Sequence, residues 1–299
     1  GFEILKGSSQ LKYGPNNSGG VLNYLTTPIP QEQSSYFSGS YGEFNSKTAH
    51  AYSGGTLDFA GGKLGYLLEV YDQRTDGWKT IANDTTSSGG IYKGGNAPVY
   101  KNDLMLKLSY DFGDGNYLEF KAGKTDLDGD VSYIGLTKAD FDANPYQRYA
   151  GTIHDNMDSD QTRYYLRYLK EINESTSLTT TFFSNEFNRD WYKISKVGDD
   201  SIGAGALRTA NNVAILKGDA NGTIRYKHND RSYETKGVQA NLDFEVGNNN
   251  FDLGFRYTDD HYSYNPGYTE DDYTMSTKTG LSLASPSAPK TKGDETNSD

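Results

Sequence analysis

Apolar and polar residues alternate with a period of two through most of the chain. Leu64, Tyr66, Leu68 and Val70 interleave with Gly65, Leu67, Glu69 and Tyr71, and Leu104, Leu106, Leu108 and Tyr110 interleave with Asp103, Met105, Lys107 and Ser109. Further along, Val238, Ala240, Leu242, Phe244 and Val246 face away from Gln239, Asn241, Asp243 and Glu245, and Phe251, Leu253, Phe255 and Tyr257 from Asp252, Gly254 and Arg256. Such alternation predicts strands with one apolar and one polar face. The stretches run for about 11 to 15 residues, beyond the usual 5 to 6 and close to what a tilted strand needs to cross a bilayer. Tight links at 60–62, 113–116, 173–175 and 247–250 alternate with long polar stretches at 77–98, 129–160, 192–230 and from Tyr264 onward.

A soluble sandwich would alternate too; strand length and the short-long rhythm of the connections point instead to an all-β transmembrane antiparallel β-barrel. About nine strands follow Pro30 on this pattern, an odd number that fits only part of a bacterial barrel. Aromatic residues near strand ends, among them Tyr100, Tyr110, Tyr165, Phe183, Trp191, Tyr233 and Tyr262, are expected to form membrane-interface girdles.

Composition changes this picture little. The mean hydropathy of -0.78 over 299 residues is what half-polar strands give, and no run of about 18 apolar residues exists for a spanning helix. A formal charge of -11 argues against a nucleic-acid surface. The absence of cysteine removes disulfides and thiolate chemistry.

Candidate chemistry is sparse. His50, His154, His228 and His261 lack metal-ligand or triad spacing. Gly123-Lys124-Thr125 lacks the preceding glycine of a phosphate loop, and Asp126-Leu127-Asp128-Gly129-Asp130 lacks the glycine and glutamate positions of a calcium loop. No enzyme and no resident cofactor are expected. Inside the second long loop, Leu136 to Ala143 reads as a turn or two of helix, with Thr137 as N-cap and Asp140 at the third position.

The opening stretch carries the most specific signal. Ile4-Leu5-Lys6-Gly7, Lys12-Tyr13-Gly14-Pro15 and Gly19-Gly20-Val21-Leu22-Asn23 occur in order just before the strand series. This arrangement resembles the end of the plug of TonB-dependent outer-membrane receptors. Pro28-Ile29-Pro30, Gly135-Leu136-Thr137-Lys138-Ala139-Asp140-Phe141-Asp142-Ala143, and Arg231-Ser232-Tyr233 before Gly237-Val238-Gln239 are most similar to the ferric dicitrate receptor group. The resemblance implies that residues 1–30 are the C-terminal part of a plug and 31–299 the N-terminal part of a barrel of about 22 strands with long extracellular loops. Both ends then read as interior to a longer chain. The glycines of the opening stretch are expected to pack plug backbone closely against the barrel wall.

The implied function is active import of a ferric chelate, citrate-type, across the bacterial outer membrane. The chelate is the transported ligand, and a TonB-type protein supplies energy through an N-terminal segment this sequence lacks; outer-membrane lipid is the other partner. Carboxylate-rich chelates need guanidinium and ammonium donors. The resemblance assigns these to Lys12 before Tyr-Gly-Pro, to Arg189 and Arg231 where the fourth loop leaves and re-enters the barrel, and to Lys290 in the fifth loop. Read as residues alone, Lys12 could be a solvated lysine, Arg189 an interface anchor or a partner of Asp190, and Arg231 a loop ion pair. Lysines at positions 12 and 290 keep charge but lose the bidentate fork. Alternatives on the same scaffold are another siderophore, haem or a nickel chelate; a passive porin or adhesin barrel and a barrel enzyme are the readings of another class.

Overall fold

The computed structural model describes residues 1–6, 19–82, 94–202, 207, 209–264, 267–268, 270–277, 280–286, 290–291 and 297–298. A small antiparallel pair, β1 (Phe2–Leu5) and β2 (Val21–Tyr24), precedes the main sheet. Nine strands form that sheet's body: β3 (Ser34–Gly42), β4 (Ser46–Phe59), β5 (Gly62–Thr75), β6 (Val99–Gly113), β7 (Asn116–Gly129), β8 (Asn156–Asn173), β9 (Thr176–Val197), β11 (Arg231–Val246) and β12 (Asn249–Tyr264). Each pairs antiparallel with the next along this series. The helices α1 (Lys138–Ala143) and α2 (Ala210–Lys217) lie in the long connections, as does β10 (Gly222–His228). Two shorter strands follow, β13 (Glu270–Ser276) and β14 (Gly280–Pro286).

The four tight links expected from the sequence are present. At the first, Ala60 and Gly61 both take positive φ, 51° and 85°, the backbone that matches the twist of a two-residue hairpin. One short link was not foreseen: Glu43, Phe44 and Asn45 join β3 to β4 at the end of the sheet where the long loops lie, with Phe44 and Asn45 at φ 58° and 53°. β8 and β9, with 18 and 22 residues, exceed the expected length because they run on into the loop region.

Burial is inverted relative to a soluble sheet. Phe37, Leu68, Leu104, Tyr164, Phe182, Leu253, Phe255 and Tyr257 are exposed, whereas the alternate positions Leu67, Met105, Lys107, Glu119 and Asn241 are buried. A water-facing apolar band of this extent has no stable solvent but lipid, so the exposed face is the outer wall and the polar face the inner wall of a membrane sheet. The parity corrects the girdle expectation. Tyr100 and Tyr110 do face outward with Leu104 and Leu108, but Tyr165, Phe183, Trp191, Tyr233 and Tyr262 occupy alternate positions on the inner wall, where they meet charged side chains rather than lipid.

Residues 27–30 lie on that inner wall. Thr27 Oγ1 donates to Glu69 at 3.0 Å, the Lys107 ammonium donates to the Thr27 carbonyl at 2.6 Å, and Thr56 Oγ1 donates to the Pro30 carbonyl at 2.8 Å. Close approach depends on wall glycines: a Cβ on Gly54 or Gly65 would come within 2.9 Å of Pro30 Cδ or Ile29 Cγ2. The glycines of the opening stretch do something else. Gly20, at φ 122°, sits against the Leu5 carbonyl within the β1–β2 pair, Gly19 has nothing near its Cβ direction, and Gly14 lies outside the described residues. His50 is on the inner wall, with Nε2 at 2.6 Å from Glu69.

The described residues of the long connections pack together. Ile134, Tyr149, Ile194, Val197, Ile215, Leu216, Ile224, Tyr226, Met275 and Leu281 form one buried apolar cluster above the membrane band. α1 begins as expected, Thr137 Oγ1 accepting from the Asp140 amide at 3.2 Å. α2 starts at N-cap Thr209 and ends on Gly218 in the left-handed conformation, φ 85°.

Candidate functional site

One edge of β9 pairs with β8, and its other edge serves two partners. From Thr176 to Arg189 it pairs with β11, and from Tyr192 to Val197 with β10, which pairs in turn with β13 and that with β14. The sheet therefore forks just above Arg189. Trp191 and Asn229 close the fork by exchanging backbone hydrogen bonds of 3.4 and 3.0 Å.

Arg189 and Arg231 are the last register partners below the fork, so the pairing places them directly opposite each other on the inner wall. Opposed residues of an antiparallel pair hold their Cβ atoms about 5 Å apart, a repulsive arrangement for two cations unless an anion lies between or beside them. Arg231 donates from Nε to Asn229 Oδ1 at 3.0 Å and from Nη1 to the Tyr233 hydroxyl at 3.4 Å, and its guanidinium lies 5.8 Å from the Tyr262 ring. The Nε of Arg189 is enclosed without a hydrogen-bond partner among the described residues. Pairing with Asp190 is ruled out by parity: Asp190 faces the other way and binds His228 Nδ1 at 2.6 Å, which raises the histidine's pKa. An anchor role in lipid is likewise excluded for a side chain on the inner wall.

Aromatic rings frame the pair. Phe187 stacks on Tyr233 at 6.1 Å, and the Tyr233 and Tyr262 rings lie 5.0 Å apart, tilted by 40°. Two residues above Arg189, Trp191 meets Tyr133 edge-on at 5.6 Å, and the Lys193 ammonium lies 4.0 Å from the Trp191 ring and 4.2 Å from Tyr133. Lys193 was missed in the sequence, although period-two alternation already puts it on the same face as Arg189 and Trp191. Beside this group opens an apolar cleft of about 500 Å³, lined by Phe44, Trp78, Val99, Val131 and Ile134. Trp191 Nε1 donates to the Val131 carbonyl at 2.9 Å, which ties cleft and arginine pair together.

The floor of the loop cluster is polar and fully buried. Asp155 accepts from the Ile194 amide at 3.0 Å and from Ser132 Oγ. Burial pushes its carboxyl up to about 7 against the pull of these donors and of Arg148. Arg148, also buried, donates to the Thr152 carbonyl at 2.8 Å, to Thr152 Oγ1 at 3.2 Å and to the Asp130 carbonyl. At the other end of the cluster Asp140 binds Lys217 and accepts from Tyr149 at 2.7 Å; chiefly the Lys217 hydrogen bond lowers its pKa to about 2.

Of the four residues assigned by resemblance, the structure brings Arg189 and Arg231 together. Lys12 lies outside the described residues. The backbone of Lys290 pairs with Tyr268 in a two-residue ladder, and its side chain lies outside the described residues.

No family model matches the chain. Solved structures with the same fold include the unliganded ferric citrate transporter FecA, at 21% identity and TM-score 0.61 over 96% of this chain and 37% of that one. The siderophore receptor PiuA from Acinetobacter baumannii matches at 13% identity and TM-score 0.59, covering 99% and 42%. The ferric-catecholate import receptor Fiu from E. coli K12, in its open form, matches at 13% identity and TM-score 0.51, covering 100% and 55%. The chain thus spans between 37% and 55% of these proteins, and at such identities the likeness establishes the fold, an antiparallel β-sheet that is part of a β-barrel.

Proposed function

We propose that this chain is the plug end and first barrel strands of a TonB-dependent outer-membrane receptor that imports a ferric chelate, with residues 1–30 belonging to the plug and 31–299 to the barrel. The observation that carries the reading is the opposed pair Arg189 and Arg231 at the inner rim of a membrane sheet. Two arginines opposite each other in register, one with an enclosed Nε that has no hydrogen-bond partner among the described residues, make a fork for a carboxylate-rich anion. The three matched proteins are a transporter and two receptors rather than enzymes, in keeping with a site that binds without catalysing. Lys12 and Lys290 complete the proposed binding set. Coupling to a TonB-type protein would act through the polypeptide preceding this chain.

A citrate-type chelate suits the arginine pair. A second reading, a chelate whose ligands carry aromatic rings, is favoured by the neighbouring Phe187, Tyr233 and Tyr262 rings and the apolar cleft beside Trp191. Titrating the full-length receptor with ferric citrate, a ferric catecholate and a nickel chelate, read through the fluorescence of Trp78 and Trp191, separates the two. Arg189→Ala with Arg231→Ala is expected to weaken the preferred chelate by about 100-fold, two lost charge-assisted contacts of about 1.5 kcal/mol each. Unchanged affinity for every chelate would sink the site, and steady conductance through an unenergised bilayer would favour a passive pore.

A further inference from the structure

The apolar cleft beside Trp191 has a fixed shape. Its floor is the inner wall: Ser46 Oγ donates to Thr75 Oγ1 at 2.9 Å across β4 and β5, and Thr75 is in register with Val99 of β6. One side is Phe44, a bulky residue at φ 58°, in the left-handed region that such side chains rarely occupy. Beside it Gly77, at φ 80°, lies so near the Ala97 carbonyl that a Cβ there would collide with it. Backbone strain of this kind is kept where a site needs a wall in one place.

The charged groups that line the cleft are all engaged. Arg148 directs Nε and Nη2 to Thr152 and Nη1 to the Asp130 carbonyl, the Asp130 carboxylate accepts from Asn156 Nδ2 at 3.2 Å, and the Lys79 ammonium lies 4.8 Å from the Trp78 ring centroid. An ionised group entering here would lose its water and find no partner, whereas an apolar group loses nothing by leaving water. Register ties the cleft to the arginine pair. Val99, Gly129, Met157 and Trp191 are successive partners across β6, β7, β8 and β9, and Arg189 is the next inward-facing residue below Trp191. Cleft floor and Trp191 thus share one row of the wall, three strand spacings or about 14 Å apart, and Val131 reaches between them to accept from Trp191.

We propose that the cleft takes an uncharged alkyl appendage of the same chelate whose anionic head Arg189 and Arg231 grip, so that the cargo is an amphiphilic carboxylate chelate. An apolar solute on its own would gain the same burial, but a chain tethered to a gripped head enters at a far higher effective concentration. This assignment holds only if the arginine pair binds a ferric chelate, as proposed above.

The test is equilibrium dialysis of the solubilised full-length receptor against radioiron complexes of citrate monoalkylamides, methyl to octyl. The octylamide is expected to bind about 100-fold more tightly than the methylamide, since three to four methylenes buried at about fourfold each suffice. Val99→Trp, which fills the cleft, should bring that ratio to about one. Phe44→Gly, which removes a wall while glycine takes φ 58° without strain, should lower it about tenfold. Whatever either variant does to the head acts on both amides alike and cancels in the ratio. A wild-type ratio near one, or a high ratio that survives both variants, overturns the proposal. Ferric citrate or a ferric catecholate binding well beside a ratio near one would fault this assignment alone; no binding of any chelate would fault the import reading and this one with it.

Discussion

Asp155 should make the loop cluster less stable at neutral than at acid pH, against the usual behaviour of a carboxylate. Its side chain is fully buried, and its carboxyl ionises at about 7 in the folded protein instead of the ordinary 3.8. A gap of roughly three pH units, at about 1.36 kcal/mol each, is a penalty of about 4 kcal/mol once the group is ionised. A folded-state pKa above the unfolded one gives stability that is complete below about 4 and lost as pH rises to about 7, after which it stays level. The groups facing the carboxyl oppose that sign without reversing it: the Ser132 and Ile194 donors and the Arg148 and Lys193 charges all favour the ionised form, and burial outweighs them. Asp155→Asn keeps an acceptor for Ile194 and presents an amide to the Ser132 oxygen, but carries no charge. Hydrogen exchange at the Ile194 amide, corrected for the intrinsic rate, reads the difference. Protection in the wild type should fall by up to about tenfold per pH unit between about pH 5 and 7, and the Asn variant should show a flat profile. The reasoning fails if both proteins share one slope, or if wild-type protection rises with pH.

Two further perturbations test the packing. Ile224→Ala removes a fully buried side chain from the loop cluster and should cost about 2 to 5 kcal/mol there, seen as faster exchange of α2 and β10 amides with the membrane strands unchanged. Loss confined to the strands would refute an independent loop core. Gly65→Val drives a side chain into Ser109 Oγ and toward Ile29, so residues 27–30 should leave the wall and become several-fold more sensitive to protease; wild-type resistance would show that the contact is dispensable.

The strands were legible because alternation is a local property. Val70, Leu104 and Phe255 announce a lipid face by their spacing alone, and the tight links at 60–62 and 113–116 follow from glycine and asparagine chemistry. The cap at Thr137 was legible for the same reason. What the chain did not disclose is non-local. Nothing near Ile224 or Leu281 says that they meet Ile134 in one core, since three loops must converge first. The girdle was misplaced because an aromatic at a strand end faces lipid or lumen according to a parity that the residue type does not carry. Arg189 and Arg231 could be assigned to loop roots, but their direct opposition required the register of β9 against β11.

That register also constrains how the arginine pair can move. Arg189 sits on a strand pinned below by pairing with β8 and β11, and above by Ile194 and Val197, both fully buried in the loop core. A one-residue slip of β9 would turn Arg189 outward to lipid and Phe182 inward, so the strand has no small sliding motion available. Arg231 is held in the same way. Above it Asn229 exchanges backbone hydrogen bonds with Trp191 of β9, β10 pairs with β9 from His228 to Ile224, and Tyr226 and Ile224 are fully buried in the loop core. Both backbones of the pair are therefore fixed from below and from above, and the freedom left at the rim is that of the two side-chain rotamers.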